Sequence, residues 1–170
     1  MSHQRNWIAV TVVILGLLMF IPVAQAQRQD FESRLCAAST YNVVHFTPEW
    51  GIGSYDQRGI IQSTHESKLF DNWTQHLVAV QKRVGGKYSW NGFSKETGPD
   101  GEFIIWEIDG DSESGTISKP ILGTGKWKGV KGERKSIPIT TAKPILPSTF
   151  QPHTTFQFCL KGVGWIELQK

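Results

Sequence analysis

The sequence predicts an all-β protein: one small antiparallel β-barrel of about eight strands, following an N-terminal signal peptide. Three observations carry this. No window of about 11 or more residues beyond the leader keeps apolar positions at helical spacing. Glycine and proline recur throughout, cutting the chain into short segments. The two cysteines, Cys36 and Cys159, stand near the two ends of the domain, where the first and last strands of a closed barrel meet.

The leader comes first. Arg5 and the amine supply positive charge, and Ile8 to Phe20 is an apolar run interrupted by Thr11 and Gly16. Pro22 breaks helix, and Ala24-Gln25-Ala26 puts small residues where a signal peptidase requires them. Cleavage before Gln27 separates a signal peptide, residues 1–26, from a domain of residues 27–170. An uncleaved anchor is the alternative, but it needs about 20 apolar residues, more than this run supplies. The protein is therefore expected to be secreted or periplasmic, with no stable membrane anchor after cleavage. In that compartment the two cysteines are expected to form a disulfide; a Cys nucleophile with a His partner is the competing reading.

Along the domain, Tyr41 to Thr47 is a strand candidate stopped by Pro48, and Gly59 to Thr64 is a second. Trp50 to Tyr55, with Gly51 and Gly53, reads as a loop between them. His76 to Val84, Gly85-Gly86 and Lys87 to Ser94 form a hairpin, its glycines supplying the positive φ of a primed turn. Gly98-Pro99-Asp100-Gly101 is a second turn, and Glu102 to Asp109 the strand after it. Within that strand Phe103, Ile105 and Glu107 share one face, and Ile104, Trp106 and Ile108 the other. Both faces are largely apolar, so the strand is either covered on its outside or lines an apolar lumen. Gly115 to Leu122, Glu133 to Thr141 and Thr154 to Leu160 are further strands, and Gly164 to Leu168 is a possible last segment. Lys143 to Pro152, with Pro144, Pro147 and Pro152, reads as a loop or an edge. A sandwich fits this strand spacing as well as a barrel does.

Gly123-Thr-Gly-Lys-Trp-Lys-Gly-Val-Lys-Gly132 resembles the glycine-rich segment late in β-barrels of the allene oxide cyclase and dirigent type, which are calycin-like and eight-stranded. Upstream, Pro99 to Trp106 is similar to a hairpin of bacterial members. The similar stretches run from about Leu77 to Thr140. The resemblance implies a lumen that accepts an apolar small molecule and, in some members, cyclisation or isomerisation of it. An ordinary barrel corner is the competing reading of the glycines, with Trp127 capping one end of the barrel. The Gly-Thr-Gly-Lys stretch lacks P-loop spacing and has no helix after it.

The chain carries 18 Lys+Arg against 15 Asp+Glu, for a formal charge of +3. The charges are interspersed, which argues against nucleic acid as a partner. No cofactor is implied, and His45, His65, His76 and His153 show no metal-ligand spacing. No catalytic constellation stands out, and whether the protein is an enzyme stays open. Two residues are weak catalytic candidates. Glu107 would be a carboxylate beside apolar walls if its face is the interior, and otherwise lies at the strand end in solvent; His76, in phase with Val78 and Val80, would sit on an inward face near a barrel end, and otherwise is a hydrogen-bonded or solvated histidine. Tyr88, Trp90 and Trp106 are candidates for lining a ligand site, or else core. Trp50 and Trp73 would be exposed aromatics in a third reading, that of an interaction module. Asn72-Trp73-Thr74 fits the glycosylation sequon of eukaryotic secreted proteins.

Overall fold

The computed structural model describes residues 27–140, 143–144 and 153–168. The signal-peptide reading of residues 1–26 lies outside them, as does most of the proline-bearing connection. The described chain forms strands β1 (Gln27–Thr47), β2 (Trp50–Ser63), β3 (Trp73–Val84), β4 (Lys87–Thr97), β5 (Phe103–Asp111), β6 (Gly115–Gly123), β7 (Lys131–Pro138), β8 (Lys143–Pro144) and β9 (His153–Leu168). One turn of 3-10 helix, Gly125–Trp127, joins β6 to β7. Sequential strands from β1 to β7 pair antiparallel, β9 follows β7, and β9 returns to pair with β1. The short β8 pairs with β9 at Gln157 and Phe156, beyond the stretch of β9 that pairs with β7. The sheet is thus a closed eight-stranded antiparallel barrel, and the sandwich is excluded.

Both hairpins read from the sequence are present. Gly85 and Gly86, at φ 59° and 81°, form the two-residue turn between β3 and β4. Gly101 donates its N–H to the Gly98 carbonyl at 3.0 Å, closing the turn before β5. The strand read from Tyr41 to Thr47 begins earlier, at Gln27. One expectation fails at the N-terminal side: Trp50 to Tyr55 is the start of β2 rather than a loop. The reason is packing: a Cβ on Gly53 would lie 2.7 Å from Val43 Cγ2 and 3.0 Å from Tyr41 Cε2. Those glycines mark a close approach between strands, not a break in one.

Inside, half of the barrel is filled by aromatic side chains. The loop between β2 and β3 turns back so that Phe70 enters the barrel end, holding φ at 62°. A bulky residue in that region costs about 1–3 kcal/mol. Its burial offsets this: Phe70 is 1% exposed and meets the rings of Phe31, Trp73, Trp106 and Trp127 at centroid distances of 4.7 to 6.0 Å. Trp127, carried in by Gly125 and Gly129 at positive φ, caps this end. Trp73, expected as an exposed aromatic, belongs to this plug at 5% exposure. It begins β3 on the inner face, two residues ahead of Gln75 and four ahead of Leu77.

Cys36 and Cys159 are direct cross-strand partners at the β1–β9 seam, with Cα atoms 4.1 Å apart, and form a disulfide. The bridge spans a sequence separation of 123. Closing such a loop stabilises by up to about 5 kcal/mol in the chain-entropy model. Replacing both residues, Cys36→Ala and Cys159→Ala, should lower the urea midpoint by an amount approaching that figure and abolish its sensitivity to reductant. An unchanged midpoint would show that strand pairing alone holds the seam.

Candidate functional site

The other half of the barrel interior holds a cavity of about 730 Å³. It lies toward the end that carries the β1–β2, β3–β4 and β5–β6 turns, opposite the aromatic plug. Eight strands leave an interior that side chains can just fill or that can hold one small ligand; here the plug fills one half and the cavity occupies the other. Alternation along each strand decides what faces it. On β1 and β2 the inner positions Leu35, Ser39, Tyr41, Tyr55 and Gln57 line it, and on β3 and β4 Leu77, Gln81, Tyr88 and Trp90 do so. Phe156, Phe158 and Leu160 of β9 complete the apolar wall.

A buried polar chain separates cavity from plug. Arg134 on β7 reaches across the barrel to Glu96 on β4, its two terminal nitrogens donating to the two carboxylate oxygens at 3.0 and 2.6 Å. The side chains are 6% and 0% exposed. Gln75 Nε2 donates to Glu96 Oε1 at 3.2 Å, and Gln57 Nε2 donates to Gln75 Oε1 at 2.5 Å. The guanidinium also lies over the Trp106 ring, 4.6 Å from its centroid. A paired, stacked arginine is the form in which a charge tolerates such burial. Nothing in the spacing of Gln57, Gln75, Glu96 and Arg134 announces this chain, because its members are far apart in sequence and meet only when the barrel closes. Its one sequence signal is a polar residue at each inward position.

The candidates from the sequence divide. Tyr88 and Trp90 lie on the wall of the cavity. Trp90 lies against Gly110 and donates its indole N–H to Thr116 Oγ1 at 3.1 Å, which fixes the ring along the wall. Trp106 is fully buried in the plug and is core. Glu107 is on the outer face, since Ile104, Trp106 and Ile108 take the interior. The condition that made it a candidate acid or base is not met. His76 is likewise outside, because Gln75, Leu77 and Ala79 are the inward residues of β3 and Val78 and Val80 are exposed. Its Nε2 lies 3.1 Å from Asp56 Oδ2. The sequon residue Asn72 is exposed in the loop before β3.

Burial pushes the Tyr55 hydroxyl well above the usual phenol range, with the neighbouring Tyr41 adding to the effect. Tyr41 is raised as well, chiefly by burial, although Arg83 opposes the shift. A phenol whose folded pKa exceeds its unfolded value of about 10 adds no instability below that pH and destabilises the fold above it. Stability should therefore fall as pH rises past about 10, and Tyr55→Phe should flatten that decline in a pH series of urea melts. Absorbance at 295 nm should show Tyr55 ionising only above the normal range. Removing one member of the buried ion pair is a sharper change. Arg134→Ala leaves Glu96 uncompensated and should cost about 3–5 kcal/mol, whereas Arg134→Met with Glu96→Leu should cost far less. Equal losses in the two variants, measured by denaturant melts, would mean that the pair is not isolated from water.

No protein-family model, no curated protein and no solved structure matches this chain, so the chemistry of the site is argued from its own residues.

Proposed function

We propose that this protein is an exported barrel that binds an apolar small molecule in its lumen. The observation that carries the reading is the cavity of about 730 Å³, inside the range of small-molecule sites, with aromatic and aliphatic side chains along its wall and polar groups both at its base and at its mouth, where Asp111, Glu113 and Thr116 stand. Two further features support it. The tyrosine and tryptophan rings of Tyr41, Tyr55, Tyr88 and Trp90 supply large apolar area at low cost in side-chain entropy. The disulfide suits an oxidising extracellular or periplasmic compartment, in keeping with a leader at residues 1–26. Kinship with the allene oxide cyclase and dirigent barrels belongs to the same proposal, on the strength of the Gly123–Gly132 segment.

Cyclisation or isomerisation of a bound substrate is the enzymatic form of this reading. It would draw on groups that face the lumen, such as Arg134 and the tyrosines, and not on Glu107 or His76. Positioning a flexible substrate in a dry cavity is itself a source of rate. The interaction-module reading retains one exposed pair, Phe46 and Trp50, whose rings lie 5.2 Å apart on the β1–β2 hairpin.

The test is binding of the apolar fluorophore N-phenyl-1-naphthylamine. Its emission should rise on titration into the protein. Leu77→Trp, which places an indole in the cavity, should weaken binding by about ten-fold or more. Val78→Trp, one residue along on the outer face, should leave it unchanged. Equal affinity for both variants would place the fluorophore elsewhere and remove the lumen reading.

A further inference from the structure

The base of the cavity carries more polar groups than its own hydrogen bonds use. The strand register sets Ser118 of β6 opposite Arg134 of β7, Ser136 of β7 opposite Gly162 of β9, and Gly162 opposite Ser33 of β1. These positions form one continuous surface across four neighbouring strands, all of them lining the cavity. Ser33, Ser118 and Ser136 are 3%, 1% and 9% exposed. Their hydroxyls have no hydrogen-bond partner among the described residues. Gly162 keeps the surface low: a Cβ there would lie 3.0 Å from both Ser33 Oγ and Arg134 Cδ.

A wholly apolar ligand seated on this surface would strand three buried hydroxyls, which costs affinity at each. The occupant therefore brings its own hydrogen-bonding group. The electrostatics choose its charge. Arg134 gives both terminal nitrogens to Glu96 and keeps only its Nε–H without a partner, so the pair is charge-balanced and the floor adds one neutralised donor to the three hydroxyls. An anionic head would lose its hydration beside a guanidinium whose charge Glu96 already matches from behind, and a cationic head would face that guanidinium directly. A hydroxyl or carbonyl meets neither penalty and can donate to or accept from a serine.

Resting on the lumen reading above, we infer that the ligand is a neutral amphiphile that enters head first: a hydroxyl or carbonyl group lies on Ser33, Ser118 and Ser136, and the apolar body lies between Tyr55, Trp90 and Phe158. The aromatic end of the cavity and its serine floor then read opposite ends of one molecule.

Three probes of one shape test this: naphthalene, 2-naphthalenemethanol and 2-naphthoate, each competing against N-phenyl-1-naphthylamine on the full-length protein. The alcohol should bind about ten-fold tighter than naphthalene and tighter than the carboxylate. Ser118→Ala with Ser136→Ala should cut affinity for the alcohol about ten-fold while leaving naphthalene within two-fold. Ser136→Ala alone, at the least buried of the three serines, should give about a three-fold loss. Tightest binding by 2-naphthoate would overturn the neutral head. Equal binding of naphthalene and the alcohol, or serine variants without effect, would overturn the reading of the floor while the lumen reading stands. Failure of the fluorophore itself to bind would instead remove the lumen reading.

Discussion

Everything inside this molecule depends on the pairing of β1 with β9. Residues 27–42 run antiparallel to residues 153–168 in unbroken register, which turns a twisted sheet with two edges into a tube with none. Closure satisfies the backbone groups of both edge strands and removes a surface on which other chains could add strands. It also creates an inside, so that every second residue on each of eight strands must find a place in a confined space. The disulfide lies on this seam, at the residue pair that brings the two distant cysteines within bonding reach.

The interior solves that packing problem in two ways. Toward one end, Phe31, Phe70, Trp73, Trp106 and Trp127 fill the tube, edge to face except where Phe70 stacks on Trp127. Toward the other, small and polar residues such as Ser33, Ser39, Ser118 and Ser136 leave space. The Arg134–Glu96 pair with Gln75 and Gln57 is the partition between them. Its cost in desolvation is met by bidentate geometry and by the Trp106 ring beneath the guanidinium. A purely hydrophobic partition would hold the fold equally well, so retaining a polar one fits a floor that hydrogen-bonds what lies on it.

Much of the architecture was legible along the chain. Gly85-Gly86 and Gly98 to Gly101 mark their turns because only glycine takes the required φ cheaply. The start of β1 was not legible, since its inward residues include Ser33, Ala37 and Ser39, which give no apolar alternation. Phe70 was equally hidden, because a single aromatic in a polar loop has no period to betray it. The candidate site divides along the same line. Tyr88 and Trp90 could be chosen by type and alternation, but Gln57, Gln75, Glu96 and Arg134 lie on four strands and become one group only across the tube.

Residue type and spacing alone established a chain of strands and turns, the places of its two clearest hairpins, and cysteines standing near the ends of the domain. They did not determine which face of each strand is the inside. Period-two alternation defines two faces without naming either, and in β5 both are apolar: Phe103 and Ile105 on one, Ile104, Trp106 and Ile108 on the other. Only closure decided the matter, because the interior is the side where residues from β4 and β7 can meet. That choice set Glu107 and His76 outside, Tyr88 and Trp90 along the cavity, and Trp106 in the plug. The cavity itself arises from the balance of large and small side chains around the tube, a sum over all eight strands that no single segment records.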